Sequence, residues 1–210
     1  MYIPESFHET ERERIQALMR DHPFGVLVSG HLDQPVVSHL PLWYEPSPEP
    51  WGRVLGHMAR ANPQWQDWTS TETPVLALFQ GPHAYISPNW YVIPNVPTWN
   101  YAVVHVTGCV RLVTETQALI DLLDRLTERQ EAKQETPWKP DWQDAHLNRM
   151  LAEIVGFEIR ITAIRAQFKL GQNRPLEDQK RVREHLLGSG RHDEALLARL
   201  MRIRDPAGSS

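Results

Sequence analysis

The sequence contains one cysteine, Cys109, which excludes an intramolecular disulfide and a thiolate metal cage. A reducing compartment is the expected setting. No apolar run approaches the roughly 20 residues needed to span a bilayer, and the opening MYIPESFHETERER has neither the basic stretch nor the apolar stretch of a secretion leader. A soluble, cytoplasmic protein without a membrane partner is therefore expected. Charge of one sign is also scarce: 22 Lys and Arg stand against 26 Asp and Glu, a formal net charge of −4. That balance lacks the footprint of a general DNA binder, so any DNA contact must be local. Internal repeats and composition breaks are absent too. At 210 residues the chain can bury a substantial core as one domain.

What the chain does have is eight Trp and 17 Pro, a pairing of planar anchors with rigid loops that suggests flat-sided pockets. Apolar spacing predicts a helix over about 9–20, opened by the capping box Thr10-Glu11-Arg12-Glu13. Two β-rich runs follow, 24–30 and 36–44, joined as a hairpin through Asp33-Gln34-Pro35. A third strand is expected over about 53–58, and Asn62-Pro63 then starts a short helix carrying Trp65 and Trp68. Residues 75–79 and 101–113 read as strands, the second bent at Gly108. Between them lies a long irregular link, 80–100, of a length that is usually functional. Helices are predicted over about 115–130 and 141–153, one long strand over 157–168, and two closing helices over 176–187 and 193–202. Residues 206–210 read as a disordered tail.

Two segments can carry chemistry. In Gly56-His57-Met58-Ala59-Arg60-Ala61-Asn62-Pro63, a histidine and an arginine sit at a strand end just before a helix start. Free backbone N–H groups, a guanidinium and an amide there suit a phosphate, although a capped turn with Arg60 facing water explains the same spacing. In 79–101, Tyr85, Trp90, Tyr91 and Trp99 alternate with prolines and with Gln, Asn, Ser and Thr. Such a segment can stack on a planar ring and satisfy its polar edge, or form a subunit interface. Together these residues indicate a planar, phosphate-bearing ligand. His39, His57, His83 and His105 lack metal-site spacing, so no metal is expected. Ser87 and Cys109 lack a nucleophile context. The basic closing helices resemble a helix-turn-helix only in outline.

The strings MYIPESF, HPFGVLVS, SHLPL, GHMARANPQW, FQGPHAYISPNWY, VPTWNYAVVHVTG, IVGFEIRI and KLGQNRP, in order from Met1 to about Met201, resemble the PaiB family of FMN-binding negative transcriptional regulators. Gly171 stands where that family is expected to carry serine. The resemblance implies a mainly β fold with flanking helices (α+β), the split β-barrel of the flavin reductase and pyridoxamine phosphate oxidase type. It implies one domain over 1–205 with a helical extension from about 174 to 204. It also implies a homodimer with FMN between subunits. His57, Arg60 and Asn62 would hold the phosphate. Ser38 and His39 would lie along the isoalloxazine ring, Trp99 and Asn100 would come from the second subunit, and Lys169, Gln172 and Asn173 would close the site. The function implied is transcriptional regulation through DNA or a regulatory protein partner. An FMN-dependent oxidoreductase is the alternative, and a haem-binding split-barrel protein the third reading.

Overall fold

The computed structural model describes residues 1–30, 34–68 and 73–202. Asp33 of the expected hairpin turn and the tail 206–210 lie outside the described residues. In chain order, the strands are β1 (His8–Glu9), β2 (Phe24–Ser29), β3 (Val36–Pro41), β4 (Trp43–Glu45), β5 (Arg53–Ala59), β6 (Thr73–Ile86), β7 (Thr98–Val113) and β8 (Ile154–Lys169). The helices are α1 (Arg12–Asp21), α2 (Thr116–Glu131), α3 (Ala145–Leu151), α4 (Leu176–Gly188) and α5 (His192–Leu200). Sheet order is β3-β2-β6-β7-β8-β5-β4, with β1 paired to β8. The chain divides into two compact units, 22–79 with 105–164, and 1–21 with 80–104 and 165 onward.

In the first of these units, β2 and β3 form the expected antiparallel hairpin, with Phe24 opposite Pro41 and Val28 opposite Val37. The single run expected over 36–44 is instead two strands. Pro41 offers no N–H, and at Leu42 the chain turns so that its N–H reaches the Pro23 carbonyl at 2.7 Å while its side chain is fully buried. β4 then pairs with β5, and β5 with β8. Close packing between β5 and β8 requires Gly56, where a Cβ would lie 2.5 Å from the Phe157 ring. Helix α2 buries Leu119 and Leu122 and lays Leu119 against Gly156 of β8. Helix α3 is shorter than the expected 141–153, because Asp144 caps it by accepting the N–H groups of His146 and Leu147.

In the other unit, α1 begins at Arg12 rather than Glu9. Glu9 belongs to β1, and its carboxylate accepts the Glu11 N–H at 2.9 Å. The link expected over 80–100 is irregular only between Ile86 and Thr98. Burial along β6 falls on Val75, Ala77 and Phe79, then on Gly81, Pro82, Ala84 and Ile86. The alternation therefore slips by one residue at Gly81-Pro82, as at a bulge, and a sequence scan reads the slip as a strand end. Pro82 lies past Leu78, the last residue paired with β2, so its missing N–H costs that ladder nothing. The helices α4 and α5 form as the spacing predicts; α4 buries Val182 and Leu186, and α5 buries Leu197.

Candidate functional site

The turn after β5 is built around two amides. Asn62 is extended, with φ −72° and ψ 119°, and its Oδ1 accepts the Gln64 N–H at 3.0 Å. Its Nδ2 donates to Ser38 Oγ on β3 at 2.8 Å. The helix expected after Pro63 is a 3-10 turn of five residues. Gln64 is buried, and its Nε2 reaches Ser29 Oγ at 3.0 Å, the Val36 carbonyl at 3.2 Å and the Leu27 carbonyl at 3.3 Å. Ser38 and Asn62 are thus held together by a buried glutamine that stitches the turn to the β2–β3 hairpin. Spacing alone did not single out Gln64, since it reads as one polar residue of a short helix.

Arg60 faces elsewhere. Its Nε donates to the Ala152 carbonyl at 2.5 Å and its Nη2 to the Ile154 carbonyl at 2.8 Å, while its N–H donates to the Glu153 carbonyl at 2.7 Å. Trp65 Nε1 donates back to the Arg60 carbonyl at 2.9 Å. These bonds tie the turn to the start of β8, and Arg60 lines a cavity of about 420 Å³ with Leu119 and Leu151.

His57 lines a different cavity, of about 340 Å³, whose walls include Leu42, Trp43, Leu123, Leu126 and Trp138. His57 Nδ1 and Trp43 Nε1 are both buried without a hydrogen-bond partner among the described residues. Burial holds the imidazole below its ordinary pKa of 6.5. As pH falls through that value the unfolded chain takes up a proton that the folded chain refuses. Stability from this group is therefore complete above 6.5 and lost below it. His105 is lowered in the same way by burial. The urea midpoint is expected to fall between about pH 7 and pH 5, and His57→Phe to reduce that fall. An identical pH profile in the variant would remove His57 as a contributor.

His39 is exposed on β3. The remaining predicted residues belong to the unit containing 80–104 and 165 onward. Lys169 Nζ donates to Thr98 Oγ1 at 2.5 Å, and burial lowers the lysine pKa. Gln172 closes a tight loop, accepting the Leu170 N–H at 2.7 Å and donating to the Phe168 carbonyl at 2.6 Å. Gly171 has φ +80°, and a Cβ there would meet Asn100 Nδ2 at 3.6 Å. Glycine therefore fits a left-handed backbone in which serine would be strained. Trp99 is 53% exposed, with its ring 6.1 Å from both His83 and Tyr85. Asn173 is exposed. Thus Lys169, Gln172 and Asn100 gather around the 98–100 and 169–173 segments, and Thr98 joins them although the sequence did not flag it.

Among the described residues no three of His, Cys, Asp and Glu gather as a metal cage, and no helix is long and apolar enough to cross a membrane. The mainly antiparallel sheet with flanking helices is the split-barrel fold of flavin-binding proteins. A flavocytochrome from Azotobacter vinelandii matches 77% of this chain and 69% of its own at TM-score 0.60 and 12% identity. A FAD and heme binding protein from Mycobacterium smegmatis matches 77% and 73%, at TM-score 0.60 and 13% identity. The chain belongs to the "Putative FMN-binding domain" family, matched over residues 1–163. It is 37% identical over 202 residues, 96% of each chain, to the Bacillus subtilis "Protease synthase and sporulation protein PAI 2".

Proposed function

We propose that this protein is an FMN-binding negative regulator of transcription that works as a homodimer. The observation that supports this most is the 37% identity to the Bacillus subtilis protein across 96% of both chains, together with membership of the FMN-binding family. The donor set fits a flavin mononucleotide. Ser38, Asn62 and Arg60 offer hydroxyl, amide and guanidinium groups for a phosphate and ribityl chain, and β3 with His39 offers an extended backbone for a ring. Asn100, Lys169, Gln172 and Asn173 add amides and one cation, and the exposed Trp99 adds a stacking face. In the dimer the first set comes from one protomer and the second from its partner. Bound FMN supplies one- and two-electron redox chemistry; the residues themselves orient it and neutralise its phosphate. His57 is left out of the phosphate set, because a desolvated neutral imidazole among apolar walls is a poor anion partner.

Dimerisation has a surface to use. Phe24, Val26 and Val28 of β2 share one sheet face with Val37 and His39 of β3 and with Leu76 and Leu78 of β6. Phe24 is 67% exposed and Val37 51%, an apolar face of the kind that marks an interface. The test is spectral. The purified protein is expected to take up FMN with quenched flavin fluorescence, and Asn62→Ala or Lys169→Ala to weaken it by about 10- to 100-fold. A Soret band without flavin uptake would favour haem, and rapid turnover of reduced nicotinamide would favour an oxidoreductase. Genomic fragments selected at about 100 mM salt, with and without FMN, are expected to share one upstream sequence. Enrichment of none would rule out direct repression.

A further inference from the structure

The cavity at His57 is built for something other than a phosphate. Helix α2 supplies Leu123 and Leu126, the chain just after β3 supplies Leu42, and β4 supplies Trp43. No lysine or arginine lines it, and its one carboxylate, Glu131, accepts the Trp138 N–H at 2.8 Å. The Arg129 guanidinium lies over the Trp43 ring, 4.3 Å from its centroid, which holds the indole in place. Within this wall the two buried nitrogens, Trp43 Nε1 and His57 Nδ1, have no partner among the described residues. Each unmet buried donor costs about 1–3 kcal/mol, a cost that a protein keeps when a ligand or a water meets it.

We propose that this cavity binds a neutral aromatic molecule of the phenol or quinone class, whose oxygen accepts the Trp43 indole N–H and hydrogen-bonds to His57. The volume of about 340 Å³ lies within the range of small-molecule pockets, and apolar walls with few polar groups are their usual composition. The absence of a cation disfavours carboxylates and phosphates. The only donor of fixed sense is the indole N–H, which requires an acceptor oxygen, whereas the imidazole can donate or accept according to its tautomer. A hydroxyl satisfies both at once. This ligand is distinct from the flavin, and the site does not depend on FMN being the cofactor.

The probe is 2-naphthol, uncharged at neutral pH, with naphthalene as the analogue that lacks the oxygen. Calorimetric titration of the full chain is expected to show 2-naphthol binding at least about tenfold tighter than naphthalene, the size of one satisfied hydrogen bond. His57→Phe is expected to erase most of that preference. Leu126→Trp, which fills the cavity, is expected to weaken 2-naphthol by about tenfold or more, with FMN affinity and the circular dichroism spectrum unchanged. Should Leu126→Trp fail to fold, His57→Phe and the naphthalene comparison decide alone. Equal affinity for the two probes overturns recognition of the oxygen. No detectable 2-naphthol binding means the nitrogens are met by water and overturns the proposal. Competition by FMN for 2-naphthol overturns the separate site and assigns the cavity to the flavin.

Discussion

Phe157→Ala is expected to lower the unfolding free energy by about 3–5 kcal/mol, measured by urea denaturation with unchanged slope. The ring is fully buried and stands edge-on to Trp68, with centroids 5.4 Å apart. It also fills the space above Gly56, whose missing side chain lets β5 approach β8. Truncation therefore leaves a cavity that Gly56 cannot fill. The companion change Gly56→Ala in the Phe157→Ala background is expected to recover part of the loss, because a Cβ at 56 would point into the vacated volume. A loss below about 1.5 kcal/mol for Phe157→Ala would mean that the two strands collapse onto each other freely.

Gly108→Ala is expected to cost about 3 kcal/mol by the same measurement. A Cβ there would lie 2.4 Å from the Arg160 carbonyl oxygen and 2.6 Å from Ile159 Cγ2. The first obstacle is backbone in the middle of β8, which cannot swing aside as a side chain can. The natural control is Gly188→Ala at the end of α4, where nothing stands within 4 Å and a change within about 0.5 kcal/mol is expected. Similar losses at both positions would show that the cost is loss of glycine's freedom in general and not the close approach of two strands.

These two positions also show what was legible in the sequence. Gly108 interrupts a β-branched run and reads correctly as a special point in a strand, because alternation on both sides of it keeps the same phase. Gly81-Pro82 looks similar in composition but shifts the phase, and so β6 is cut short in a linear reading although the strand continues to Ile86. The pairing of Ser38 with Asn62 follows from no local signal, since 24 residues separate them. Only the family resemblance put both on one ligand. Spacing placed His57 and Arg60 within one motif, whereas side-chain direction turns them into different cavities. Neighbours along a strand end need not share a partner, because direction depends on the parity of each residue and on the turn that follows.

The Ser38–Asn62 bond restricts the chemistry of whatever it meets. Asn62 spends its carbonyl oxygen on the Gln64 N–H, and Ser38 Oγ receives one amide hydrogen. What the pair still presents is the second amide hydrogen and the hydroxyl hydrogen, with one oxygen lone pair between them. Its outward character is therefore electropositive without carrying any formal charge. Such a pair discriminates by polarity: it welcomes oxyanions and carbonyls, repels ammonium groups, and does so with little change across the pH range in which neither group titrates.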